Sequence, residues 1–136
     1  MHGKCLVQRQ GVRWFVAACK RRGLQARPIH YGLVRVNGYT VQVRAAHGYT
    51  HRQRVRSAAG TEYVYDVPRV HFNLHTQGRP VTPAPDFWVL VDLDAHAAAI
   101  VPGRAADRLT YTRHVGIRPR RDRLVAFDGR FDLLEG

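Results

Sequence analysis

Residues 1 to 61 contain no aspartate and no glutamate, although Lys4, Arg9, Arg13, Lys20, Arg21, Arg22, Arg27, Arg35, Arg44, Arg52, Arg54 and Arg56 all fall within them. Solvated surfaces normally mix both signs, so a stretch of one sign is the electrostatic footprint expected for a polyanion. The same absence excludes any site in this half that relies on a carboxylate as base or metal ligand. From Glu62 onward ten arginines meet ten carboxylates, so the whole excess of +12 sits in the first part of the chain. Lysine is scarce too, with only Lys4 and Lys20 among 22 basic residues. That preference fits codon composition more simply than selection for bidentate phosphate contacts.

Cysteine is limited to Cys5 and Cys19. Without a Cys-x-x-Cys pair they specify neither a redox motif nor a zinc knuckle, and Cys19 is expected as a small core residue on a helix. No apolar run approaches the ~20 residues of a membrane span. The leading segment "MHGKCLVQRQGVRWFVAACKRRG" is interrupted by Arg9 and Arg13, unlike a signal peptide. A soluble cytoplasmic protein with no membrane partner, nucleoid-associated if prokaryotic, is the expectation. What is present suffices for a core: 136 residues, 45% hydrophobic and 10% aromatic, read as a single domain over residues 1–136.

Val12, Phe15, Val16 and Cys19 recur at i, i+3, i+4 and i+7, predicting an amphipathic helix from about Gln10 to Arg22, stopped by Gly23. Three extended segments follow: "QARPI" up to His30, "GLVRV", and "YTVQVRA", the last two joined by the hairpin signal Asn37-Gly38. Residues 46–62, "AHGYTHRQRVRSAAGTE", show little apolar periodicity and predict a mobile basic loop. "PRVHFNLHT" predicts a strand, "GRPVTPAP" a turn, "DFWVLVDL" a strand at a sheet centre, and "HAAAIVP" another strand. A short helix near Arg104 to Leu109, a basic turn "RPRRDR" and an amphipathic end "VAFDGRFDLLEG" complete the chain. The tail has an apolar side that packs either on the domain or on a partner.

This order, with "YTVQVRAA" as third strand and "PDFWVLVDLDAHAAAIVP" later, resembles the PD-(D/E)XK nuclease superfamily, in the branch of group I intron homing endonucleases and Holliday-junction-resolvase-like proteins. The resemblance covers about Gly11 to Pro102. It implies an α/β fold with a restriction-endonuclease-like core, a central mixed β-sheet flanked by helices in the order α-β-β-β-loop-β-β-β. Residues 103–136 are then a helical and basic extension. It also implies an active site in which an Asp at the start of the second strand and a Glu or Gln on the third hold Mg2+ against the scissile phosphate. A Lys two residues on, on the same face, stabilises developing charge.

Carried onto this sequence, the motif falls on Gly32, Gln42 and Arg44. Gln42 suits the branch, whereas Gly32 stands where the metal-binding Asp belongs and Arg44 where the Lys belongs. A helix-borne Glu, present in many relatives, would fall near Val12 to Phe15, where there is none. With no carboxylate in residues 1–61, a hard cation lacks an anionic ligand, and Arg44 puts fixed positive charge in its place. The expectation is a degenerate site that binds phosphate, with no cofactor and no metal. The alternative is an active homing- or resolvase-like endonuclease, either metal-independent or using a relocated ligand such as Asp86 with His30, and Mg2+ belongs only to that alternative.

Pro85-Asp86 with Asp92 and Asp94 spells part of the superfamily's name, but the spacing is too short for two adjacent strands; Asp86 is expected to start a strand or satisfy a turn, with the other two at the strand's exposed end. His47 with His51, and His71 with His75, have a four-residue spacing but lack further zinc ligands. His30, beside Gly32, is the histidine with a residual role to consider. The candidate DNA contacts are Arg9, Arg13, Lys20, Arg35, Arg44, Tyr49, Arg52, Arg54 and Arg56, with Tyr49 among the loop arginines suited to stacking or wedge insertion. The functional expectation is a DNA-binding protein for duplex or branched DNA on a nuclease-like fold that has lost its catalysis, with a homodimer matching the two-fold symmetry of duplex DNA. A basic module for RNA or an acidic protein is the further alternative, because charge alone does not choose the polyanion.

Overall fold

The computed structural model describes residues 3–76, 78–106, 110–114 and 124–136. Helix α1 spans Gly3–Arg21, longer at its start than the apolar spacing predicts because Lys4, Gln8 and Arg9 are good helix formers that carry no apolar signal. It ends in a Schellman motif, in which the amide of Gly23 donates to the carbonyl of Lys20 (3.1 Å) and that of Leu24 to Cys19 (2.9 Å).

Strands β1 (Ala26–His30), β2 (Leu33–Val36), β3 (Tyr39–Ala46), β8 (Phe87–Asp92) and β9 (Ala97–Pro102) form a five-stranded sheet in the order β1-β2-β3-β8-β9. It is mixed: β3 and β8 run parallel while the other pairs are antiparallel. The fold is therefore the expected α/β class with a central mixed sheet. Asn37 and Gly38 both take positive φ, as the two-residue β2–β3 turn requires.

α1 covers one face of this sheet. Phe15, Ala18 and Cys19 pack on Val34, Val41, Val43 and Val89, all buried. Gly11 lets the helix come close, because a Cβ there would run into Ala45. Among the described residues the opposite face is covered not by a helix but by a second, three-stranded sheet in the order β10-β5-β4, formed by β4 (Tyr49–Arg56), β5 (Glu62–Asn73) and β10 (Thr110–His114). Val70 and Phe72 of β5, with Leu74 just after it, bury against Trp88, Leu90 and Val101. This is why "FWVLV" reads as an unbroken apolar run: Val89 and Val91 serve the helix side, Trp88 and Leu90 the sheet side. The short strands β6 (His75–Thr76) and β7 (Arg79–Pro80) pair with each other in the connection to β8.

Three expectations are corrected. Residues 49–56 are not a loop; they pair in register with β5 from Tyr49↔Arg69 to Arg56↔Glu62. Both faces of that hairpin are largely exposed, so no apolar alternation marks it, and its period-two signal is the charge at Arg52, Arg54 and Arg56. The segment after residue 102 is not simply a helical extension, since Thr110–His114 is a strand on β5. Of the helix expected over Arg104 to Leu109, residues 103–105 form a single 3-10 turn. Residues 107–109 and the basic turn "RPRRDR" lie outside the described residues. The tail packs on its own domain: Phe131 and Leu134, in a short 3-10 helix, are buried in the core under α1. Phe131 stacks on Phe15 with centroids 6.0 Å apart, and the Arg22 guanidinium lies 4.0 Å above the Phe131 ring. Asn37 ties the tail down further by donating from Nδ2 to the carbonyl of Leu134 (3.1 Å).

Candidate functional site

The two-residue turn Tyr31–Gly32 joins β1 to β2, with His30 paired to Leu33. Beyond the start of β2 the edge of β3 is uncovered, and side chains from three elements converge there. Cross-strand partners share a face of a sheet, so the pairs Arg27↔Arg35, His30↔Leu33, Leu33↔Gln42 and Arg35↔Thr40 place Arg27, His30, Arg35 and Gln42 on one face, the face away from α1. Arg44, two residues after Gln42, lies on that face as well.

Gln42 is 6% exposed and donates from Nε2 to the carbonyl of Tyr31 (3.1 Å). Arg44 donates from Nε to the carbonyl of Asn73 (3.1 Å) and from Nη1 to that of Val43 (3.3 Å), with its guanidinium 5.3 Å from the Trp88 ring. Burial pushes the Arg44 pKa down from its ordinary value, but a guanidinium stays charged through such a shift. Arg44 thus joins the two sheets at the root of the site.

The helix contributes a residue that lies outside the Val12 to Phe15 window. Gln8, one turn earlier on α1, donates from Nε2 to the carbonyl of Val43. A Cβ placed on Gly32 would overlap the Gln8 amide and lie 2.9 Å from both Gln42 Nε2 and the Val43 carbonyl oxygen. Gly32 also has φ +82. The space beside Gly32 is therefore filled by an amide from the helix. Spacing could have found Gln8: it precedes Gly11 and Phe15 by three and seven residues, on the face that meets the sheet.

These donors do not fit a hard divalent cation. The converging groups are two neutral amides, backbone carbonyls and a guanidinium, and the Val43 carbonyl already accepts from Gln8 and Arg44. Among the described residues no group of three or more His, Cys, Asp or Glu side chains could hold a metal.

The carboxylates near the motif strand serve structure. Asp86 accepts from the Thr40 amide at Oδ2 (2.8 Å), as a residue opening β8. Asp92 is not at an exposed end; it is 6% exposed and its Oδ1 accepts from the amides of Asp94 and Ala95, both at 3.1 Å, closing the turn after β8. Asp94 is exposed and pairs with His47 Nδ1 (2.8 Å) and the Gly48 amide (2.6 Å). His71 Nε2 lies 3.0 Å from Asn73 Oδ1, and His75 Nδ1 accepts from the Gly78 amide (3.0 Å), so neither histidine pair forms a common ligand set. No hydrogen bond or ion pair among the described residues links His30 to Asp86. A cavity of about 370 Å³ lies elsewhere, between the start of β4 and the turn after β8, lined by Tyr49, Arg69, Asp92 and Asp94 among others.

The candidate DNA contacts divide between surfaces. Arg9, Arg13 and Lys20 are exposed on α1, on one side of the central sheet; Arg35 is exposed on the other side, opposite Arg27. Arg52, Arg54 and Arg56 line one face of β4, and register puts Tyr49 on the opposite face with His51, Gln53, Val55, Tyr63 and Tyr65. Tyr49 is therefore not among the arginines in space. Folding also brings acids to them: Arg52 lies 3.7 Å from Asp66 and Arg54 3.6 Å from Glu62, both pairs exposed.

No protein-family model and no curated protein matches the sequence. Among solved structures, the bacterial homing endonuclease I-Ssp6803I is similar with a TM-score of 0.62, at 11% identity over 97% of this chain and 93% of that one. At that identity the likeness is one of fold: this chain has a nuclease-like fold.

Proposed function

We propose that this chain binds duplex or branched DNA on a degenerate PD-(D/E)XK scaffold and does not cleave it. The observation that carries the reading is the meeting of the Gln8 and Gln42 amides beside Gly32, with Arg44 sharing the Val43 carbonyl with Gln8, so that amides and a guanidinium stand where a metal nuclease needs anionic groups. The similar fold belongs to a protein described as a homing endonuclease, whose substrate is DNA, and this chain carries a net charge of +12 to meet a phosphate backbone. The exposed arginines Arg27 and Arg35 on the open sheet face and Arg52, Arg54 and Arg56 on β4 are the contacts we assign to phosphates, with a homodimer as the form that suits two-fold-related strands.

The test is binding to duplex and four-way-junction DNA across a salt series, with heparin and duplex RNA as competitors and a cleavage assay in Mg2+ and Mn2+. The logarithm of affinity should fall with the logarithm of salt with a slope of about −0.9 per phosphate neutralised, without strand scission. Binding that is absent at low salt, or indifferent to salt, sinks the DNA reading. Preference for RNA turns it to the other polyanion. Cleavage abolished by Gln42→Ala or Arg44→Ala sinks the inactivity and restores the endonuclease alternative.

A further inference from the structure

Tyr31 occupies the first position of the Tyr31–Gly32 turn with φ 45, followed by Gly32 at φ 82. Two successive positive φ values make this a type I′ turn, whose first position is normally Asn, Asp or Gly. A bulky L-residue there meets its own following carbonyl. The ring recovers nothing by burial, since Tyr31 is 90% exposed. A large side chain in a disfavoured backbone conformation and left in solvent contributes nothing to the fold that a smaller residue would not, and such outliers point to a function.

The turn is fastened from below. Gln42 donates to the Tyr31 carbonyl (3.1 Å) and the Val43 amide donates to the Gly32 carbonyl (2.8 Å). The glutamine at the motif position therefore holds the aromatic finger rather than a cation. On the same sheet face, Arg27 and Arg35 stand directly opposite each other. Like charges so placed destabilise a strand pair, and no ion pair among the described residues relieves them. His30, whose ring centroid is 5.4 Å from that of Tyr31, completes the rim. An exposed aromatic ring on a fastened turn, with two cations on the strands that lead into that turn, is an arrangement suited to holding an unstacked base and contacting its phosphates.

We propose that Tyr31 stacks on an unpaired nucleobase, so that the ligand preferred at this site is DNA with a base out of the helical stack, such as a bulge or junction, over fully paired duplex. The inference rests on the DNA-binding reading above. Its test uses an oligonucleotide duplex with 2-aminopurine in a one-base bulge, beside the same duplex fully paired. The wild type should quench the bulged 2-aminopurine and bind the bulged duplex roughly tenfold more tightly, within the range that stacking of one base supplies. Tyr31→Phe should keep both properties. Tyr31→Asn should lose both, keep the salt slope on paired duplex, and unfold at no lower denaturant concentration, because Asn tolerates this turn position better than Tyr. Quenching and preference that survive Tyr31→Asn overturn the inference alone. A wild type that binds neither duplex at low salt overturns the DNA-binding reading and this one with it.

Discussion

Substituting Gly32 by alanine tests whether the space beside it is filled, and the structure fixes what it costs. At φ +82 the added Cβ sits in the left-handed region, a penalty of about 1–2 kcal/mol. The Cβ overlaps the Gln8 amide, which must leave the Val43 carbonyl, losing a hydrogen bond worth about 1 kcal/mol. Its 2.9 Å approach to Gln42 Nε2 and to the Val43 carbonyl oxygen cannot be relieved by a side chain alone, and such overpacking costs about 1–3 kcal/mol. Gly32→Ala should therefore destabilise by roughly 3–6 kcal/mol. Gln8→Ala alone should cost about 1 kcal/mol. In the double variant the amide is already gone, so the two effects should fall short of additivity by about 1 kcal/mol. Urea unfolding of the four proteins, read by the fluorescence of Trp14 and Trp88, gives the cycle. Additivity within about 0.5 kcal/mol would refute the claim that Gln8 occupies the space beside Gly32. A neutral Gly32→Ala would refute the turn geometry itself.

Phe131→Ala should destabilise by about 3–5 kcal/mol, because Phe131 is 4% exposed between Phe15 and Arg22; a loss under 1 kcal/mol in urea unfolding would detach the tail from the core. Burial pushes the Cys19 thiol up to about 11, above its ordinary 9.0, so iodoacetamide at neutral pH should label Cys19 only once the protein unfolds, as peptide mapping would report. The His47 hydrogen bond, then that of the Gly48 amide, holds the Asp94 carboxyl below its ordinary 3.8. A lowered folded pKa gives stability that is present above 3.8 and lost as pH falls through the folded value. Asp94→Asn should therefore unfold earlier than the wild type at pH 6 and converge with it in strong acid; a difference constant across pH would show the ionised carboxylate is not the cause.

Much of the core was legible because it obeys a single period. The helix face Val12, Phe15, Val16, Cys19, the Asn37-Gly38 turn and the doubly buried strand "FWVLV" each announce themselves within a few residues. The hairpin of β4 and β5 did not, because a strand exposed on both faces buries nothing that alternates. The tail was ambiguous for a related reason: an apolar side says that burial occurs but not against what. Of the site, Gly32, Gln42 and Arg44 were reached through the motif, while Gln8 and Tyr31 were missed. Gln8 is brought to the strand edge by the helix, and Tyr31 carries its meaning only once its positive φ and exposure are known.

The sequence by itself determined the helix and central strands, the absence of any carboxylate in residues 1 to 61, and the excess of +12, since these depend on residue identity and local spacing alone. Only the tertiary structure decided where the charges stand, pairing Arg52 with Asp66 while leaving Arg27 opposite Arg35. It alone brought the Gln8 amide into the space beside Gly32. The physical reason is that strand register and helix docking are set by the summed burial of the whole core, so distant residues meet in combinations that no local pattern encodes.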